Sequence, residues 1–308
     1  MFDIVGKRLL FLIISVIVIL LCAVSLAVIG LKPGIDFSSG SIMTLSFEQV
    51  VDEAELEQEL AGLGYTSTSI ERNPGGDFLI RTIQLTIAEK AQIKENLAAK
   101  FGVVDERSFE NVDPVIARET ARVAAIAVAV AAIGILLYVT WAFRRMPKPF
   151  RYGTCAIIAL VHDALVALGV FSILGGLLDW EITLMFITGI LAVIGYSVNN
   201  TVVVFDRIRE NLILGVSPKF EIVVNRSLVE TLGRSVNTSL TTLFVVLALF
   251  LVVGASIQNF TVVLLIGIII GTYSSLFVAP LLLVVWERGE WGRFIQWLPL
   301  PSTKAKGG

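Results

Sequence analysis

Two adjacent asparagines, Asn199 and Asn200, interrupt an apolar run that ends in the charges Asp206, Arg207 and Arg209. Asparagine in hydrocarbon is tolerated only against other protein, and a cluster of charges marks where lipid gives way to water. Residues 195–211, GYSVNNTVVVFDRIREN, therefore place a polar site inside a membrane helix near one of its ends. Two further helices carry chemistry of the same kind. His162 and Asp163 lie roughly ten residues into an apolar run, about 15 Å deep at 1.5 Å per residue. Arg234, Asn237, Thr238, Thr241 and Thr242 are spaced i, i+3, i+4, i+7, i+8 and share one stripe of a helix. Each group is costly against lipid, so the economical arrangement is one internal site built jointly from the three helices. Proton handling is the chemistry such a site offers, because a carboxylate in a membrane needs a partner or a proton and histidine titrates near neutrality. His162 reads equally as a hydrogen-bonded packing residue, and Arg234 equally as a cation snorkelling to the interface. No glycine-rich phosphate loop, metal-ligand cluster or nucleophile with a base accompanies them, so neither an enzyme nor a bound cofactor or metal is expected.

The elements that must hold these groups are membrane spans. Of 308 residues 56% are hydrophobic and 16% charged. With a mean hydropathy of +0.83, the chain is too apolar for a soluble protein and too long for a single-span anchor. Runs of about 20 apolar residues, enough to cross about 30 Å of hydrocarbon, fall at 9–29, 121–143, 153–178, 182–205, 237–253 and 260–286. The first exceeds a signal-peptide core and is read as retained. Cys22 and Cys155 both fall within spans, so no disulfide framework is expected. Lys7, Arg8, Arg144, Arg145, Lys148, Arg151, Arg207, Arg209, Lys219, Arg226, Arg288 and Arg293 all flank the spans on one side. The opposite loops, 179–181 and 254–259, contain no Lys or Arg. The positive-inside rule then puts both termini in the cytoplasm.

Residues 32–120 hold 16 acidic and 8 basic residues and read as a domain on the other side of the membrane. Strand patterns at 42–47, 66–71, 77–84 and 103–112 alternate with two helices opened by the capping boxes Asp52–Glu55 and Thr86–Glu89. Asn73, Pro74, Gly75 and Gly76 supply a hairpin turn. The order βαββαβ is that of a ferredoxin-like α+β fold. The division expected is 1–31 for the N-terminus and first span, 32–120 for this domain, 121–286 for five further helices with basic loops at 144–152 and 206–234, and 287–308 for a tail. Gly267, Gly271 and Ser275 form a small-residue stripe that admits a neighbouring helix, and Gly195 offers a similar close approach. Residues 207–234 are amphipathic and broken by Gly215, Ser217 and Pro218, which suits a helix pair lying on the membrane surface or a docking surface for a partner.

Four segments, in order, resemble motifs of the SecF family, accessory subunits of the bacterial Sec protein translocase within the resistance-nodulation-division superfamily. GIDFSSGS at 34–41, with Gly34, Asp36, Phe37 and Gly40, is similar to the family's GIDFTGG element. VHDALVALG at 161–169, the segment 195–211 and ETLGRSVNTSLTTL at 230–243 resemble its motifs on helices three, four and five. The resemblance implies a lipid-embedded protein of the bacterial cytoplasmic (inner) membrane, paired with SecD as a heterodimer. The pair would act beside the SecYEG channel, with YajC as a further partner, on translocating preproteins and with no nucleic acid. It implies H⁺ as the coupling ion, with Na⁺ used by some relatives. In the family a carboxylate at the second position of an Asn-Asp pair on helix four is held to carry the proton, and an arginine on helix five to regulate it. Those positions here are Asn200 and Arg234. Asparagine keeps the size of aspartate but cannot bind or release a proton. An engineered substitution or reliance on a carboxylate in SecD accounts for Asn200 better than transfer of the role to Asp163, which belongs to a motif of its own. A scaffold that conducts no protons and one half of a small-molecule exporter are the competing readings. Exporters of that superfamily carry much larger outer domains.

Overall fold

Backbone amides in lipid must be satisfied within their own segment, so uninterrupted apolar runs become helices. The computed structural model describes residues 2–72, 75–178, 180–252 and 257–290. Met1, Asn73, Pro74, Asp179, residues 253–256 and residues 291–308, Arg293 among them, lie outside the described residues. In chain order the elements are α1 (Arg8–Val28), α2 (Ile35–Ser38), β1 (Gly40–Phe47), α3 (Glu53–Gly62), β2 (Ser69–Arg72), β3 (Phe78–Thr82), α4 (Ile87–Phe101) and β4 (Val104–Val112). They continue as α5 (Pro114–Ala142), α6 (Pro149–Leu178), α7 (Leu184–Ile213), α8 (Phe220–Val252), α9 (Gln258–Phe277) and α10 (Ala279–Arg288). Among the described residues six helical spans are long and apolar enough to cross a membrane: α1, α5, α6, α7, α8 and the pair α9–α10. That last span breaks at Val278, ahead of Pro280, whose ring removes a helical donor.

The region 206–234 is neither a loop nor a pair of surface helices. Residues 206–213 end α7 and residues 220–234 begin α8, the two joined at 214–219, where Gly215 takes φ 65°. Each helix is longer than 30 Å of hydrocarbon requires, since 30 residues at 1.5 Å per residue reach about 45 Å. The amphipathic pattern has a plain cause: Ile208, Val223 and Leu228 are buried among the helices themselves rather than in lipid headgroups. Ion pairs fasten the same stretch, with Arg207 donating to Glu210 and Glu230, and Arg226 to Glu230. Asp206 pairs with Arg209 one turn along α7.

The segment between α1 and α5 forms a four-stranded antiparallel sheet, in the order β2-β3-β1-β4, with α3 and α4 supplying its cover. Met43 opposite Ile80 and Leu45 opposite Phe78 point to one face, where Leu56 and Leu60 of α3 and Ile93 and Leu97 of α4 complete an apolar core. Thr86 and Glu89 exchange both bonds of a capping box at the start of α4. At α3, Asp52 caps through the Ala54 N–H, two residues on.

Glu106 on β4 ties the sheet to α4, 2.8 Å from Lys94 Nζ and 2.9 Å from Lys90 Nζ. Hydrogen bonds from Lys94 and then Lys90 hold its carboxyl below the usual carboxylate range. A depressed folded value stabilises above the unfolded pKa, about 4.3 for glutamate, and that contribution disappears as pH falls through the folded value. Unfolding of the sheet domain, followed in the full chain from pH 7 downward, is expected to lose up to about 1 kcal/mol on this account. Glu106→Gln should lack that loss.

Candidate functional site

Asp163 lies 14 residues beyond Pro149 on α6, about 21 Å along the helix axis, and is 1% exposed. Its carboxylate gathers three neighbours. Ser197 Oγ of α7 donates to Oδ2 at 2.5 Å, Ser274 Oγ of α9 donates to Oδ2 at 2.7 Å, and His162 Nδ1 lies 2.9 Å from Oδ1. The His162 ring faces Tyr273 of α9, with centroids 6.3 Å apart, and the Tyr273 hydroxyl donates to Phe11 O of α1. Glycine makes this convergence possible. A Cβ on Gly267 would overlap Val193 of α7, and one on Gly271 would stand 3.0 Å from Ser197 Cβ, so α9 reaches α7 closely enough to share one carboxylate. Ser275, buried beside them, bonds back to Thr272 O.

The polar groups of the three helices occupy two places rather than one internal site. Asn200 is buried, and its Nδ2 has no partner among the described residues. Asn199, Arg234, Asn237, Thr238 and Thr241 are exposed on α7 and α8. The threonines satisfy themselves: Thr238 donates to Arg234 O, and Thr241 and Thr242 donate to Thr238 O. Asn199, Arg234 and Asn237 find no side-chain partner among the described residues, although Arg234 and Thr231 help line a cleft of ≈ 310 Å³ with Asp206 and Glu210. The stripe spacing is real, but it runs along a face that this chain leaves uncovered. Gly195 of α7 is exposed as well, with nothing within 4 Å of a Cβ built on it, so it packs no helix among the described residues.

Ser197, Ser274 and Tyr273 are the residues that sequence reasoning missed. Ser197 sits one turn before Asn200, and Ser274 hides inside the Gly267–Gly271–Ser275 stripe, where small size and hydrogen-bonding capacity look alike.

A second cluster joins the sheet to the membrane helices. Gly34 N donates to Ile182 O at 2.9 Å and Ile182 N to Lys32 O at 2.8 Å, while Arg81 of β3 pairs with Glu181. Asp36 Oδ2 accepts from Leu184 N at 2.7 Å, a carboxylate at the N-terminus of α7 where the helix dipole favours negative charge. Phe37 is half-buried, and a Cβ on Gly40, which has φ 130°, would meet Thr82 O at 2.8 Å.

A family profile described as protein export membrane protein SecD/SecF, C-terminal, matches residues 92–289, and the SecD/SecF GG motif matches residues 24–49. The chain belongs to the SecD/SecF protein-export family. The protein translocase subunit SecF of Thermobaculum terrenum is 41% identical over 308 residues, covering 96% of this chain and 97% of that one. SecF of Anaerolinea thermophila is 40% identical over 295 residues, covering 94% and 96%. Among solved structures, the crystal structure of SecDF, a translocon-associated membrane protein from Thermus thermophilus, superposes with a TM-score of 0.82 at 32% identity. It covers 93% of this chain, which spans only 39% of that SecDF chain. A crystal structure of SecDF in the super-membrane-facing form gives 0.67 at 31% identity, over 96% of this chain and 40% of that one. This SecD/SecF chain is thus a multi-pass protein of the bacterial membrane.

Its GG motif carries serine in place of the first glycine. Ser39 has φ 67° and ψ 166°, a region that side chains other than glycine enter at about 1–3 kcal/mol. Set against the greater freedom of glycine in the unfolded chain, Ser39→Gly is expected to stabilise the domain by about 1 kcal/mol. A higher unfolding midpoint in denaturant at unchanged slope checks it.

Proposed function

We propose that this chain is the SecF half of a SecD–SecF unit that assists preprotein export through the SecYEG channel, with YajC alongside, and that works with both ends in the cytoplasm. The observation that carries the reading is the exposure of Asn199 on α7 and of Arg234 and Asn237 on the α8 stripe, polar groups that lipid cannot satisfy and that a second set of membrane helices would. This chain spans only 39% and 40% of the two SecDF chains, which leaves room in them for such a second set. The basic residues at one end of the spans support the orientation. Nothing in this role is enzymatic. The order β1-α3-β2-β3-α4-β4 and the sheet order support a ferredoxin-like reading of the small domain. The division at residues 31, 120 and 286 follows it.

The energy source we infer is the proton gradient, protonation at the SecD–SecF interface shifting helix packing and moving the sheet domain relative to the membrane. The Asp36 cap on α7 and the Arg81–Glu181 pair support mechanical coupling, because a shift of α7 would pull on both. The two SecDF forms fit this chain unequally at nearly equal identity, in keeping with relatives that adopt more than one arrangement. Asn200 favours one alternative, a scaffold that conducts no protons. The small sheet domain gives the exporter reading no comparable support.

Proton-gradient-driven export in vesicles containing the SecD partner separates these. A gain with Asn200→Asp is expected if a relay is disabled at this position. Loss of gradient dependence with Arg234→Met is expected if the interface arginine regulates it. Indifference to both substitutions leaves the scaffold, or coupling that lies in SecD or at Asp163.

A further inference from the structure

We propose that His162 and Asp163 form a one-proton store inside the membrane, separate from the Asn200 position and read by α7 and α9 through Ser197 and Ser274. The inference deepens the proton-coupled reading above. Its first support is the count of protons. The 2.9 Å contact between Nδ1 and Oδ1 needs one proton between them. Holding only that proton, the pair is a neutral imidazole and a carboxylate with a net charge of −1. Taking one more from water makes it neutral: H⁺ plus the −1 pair gives either imidazolium with carboxylate or imidazole with carboxylic acid. In both forms the added proton appears as Nε2–H. Nε2 is buried and is the atom of this pair without a hydrogen-bond partner among the described residues. The position where the added proton registers is therefore one that the protein leaves open.

The second support is the surroundings. The ionisable side chain facing the pair is the Tyr273 phenol from α9, and the Cys22 thiol of α1 meets α6 one turn further on, at Val166 O. From α7 comes Ser197, a hydroxyl that carries no charge. α5 meets α6 through Leu136 and Thr140 at Gly153, and α10 meets it through Glu287 at Arg151, about 18 Å along α6 from Asp163. No Lys or Arg among the described residues pairs with Asp163, so the −1 form stands in a low-dielectric interior without a countercharge. Two states differing by one proton thus differ in a full buried charge, which is what biases a two-state element. Ser197 and Ser274 read that charge, since both donate to Oδ2 and each belongs to a different helix from Asp163.

His162 is the chain's single histidine, so its signals need no assignment. Full-length protein labelled with ¹⁵N-histidine, purified without a histidine tag and placed in lipid bilayers, is followed by solid-state NMR across the pH range. The expected result is a transition of Nε2 between bare and protonated forms, with Nδ1 keeping its proton or exchanging it with Asp163. Asp163→Asn abolishes or displaces that transition, and Ser274→Ala, which removes one donor and no charge, alters it with the fold retained. Imidazole signals that stay constant with pH overturn the store. So does a transition in the parent chain that Asp163→Asn and Ser274→Ala both leave unmoved. The spectra need neither SecD nor export, whereas the vesicle assay needs both, so either reading can fail while the other stands.

Discussion

Gly267→Leu is expected to cut the recovery of folded chain several-fold. A Cβ at this position already overlaps the Val193 side chain, and the remaining leucine atoms would have to enter the same buried volume between α9 and α7. Overpacking of this kind costs about 3 kcal/mol where neighbours cannot give way, and Val193 is itself only 2% exposed. The damage would spread from packing to chemistry. Forcing α9 off α7 withdraws Ser274 from Asp163 Oδ2 and breaks the approach of Gly271 to Ser197, leaving a buried carboxylate with fewer donors. Size-exclusion profiles and thermal unfolding in detergent should show a several-fold loss of monodisperse protein. Gly195→Leu is the matched control. Nothing lies within 4 Å of a Cβ at 195, and the isolated chain should tolerate the side chain without loss.

The spans were legible because hydropathy over about 20 residues is a strong signal, and the sheet domain because its strands alternate and its turns carry glycine. The ends of α7 and α8 were not. From Arg207 to Arg234 a surface helix and the protruding end of a span present the same amphipathic period, and only the burial of Ile208 and Val223 against neighbouring helices separates them. The site was half legible. Asp163 and Asn200 stand out because ionisable and amide groups are rare in hydrocarbon, and Ser197 and Ser274 escape notice because serine is common there as a packing residue. Which way the α8 stripe faces could not be read from its period. A polar stripe says that something must cover it, and the fold adds that this chain does not.

That uncovered stripe makes a prediction of opposite sign in two states. Replacing Asn199 and Asn237 together with leucine removes two exposed amides that find no partner among the described residues. The isolated chain in lipid should be unchanged or more stable, since lipid satisfies leucine and not asparagine. The proposed pairing with SecD should weaken instead. Interhelical hydrogen bonds in membranes average about 0.6 kcal/mol each, so losing two lowers affinity by roughly tenfold, 1.4 kcal/mol being a factor of ten. Co-purification of tagged SecD with the double variant, alongside thermal stability of the variant alone, measures both signs at once. A chain that unfolds more readily by itself would mean that these amides serve its own fold. Unchanged recovery of SecD would mean that the partner covers some other face, and the stripe would then need a different occupant. The measurement also constrains Arg234, which lies three residues before Asn237 on the α8 stripe and is likewise exposed. If SecD covers Asn237 it covers Arg234 as well. The charge would then be withdrawn from water and set against whatever carboxylate the partner brings, the condition under which an arginine can control a proton.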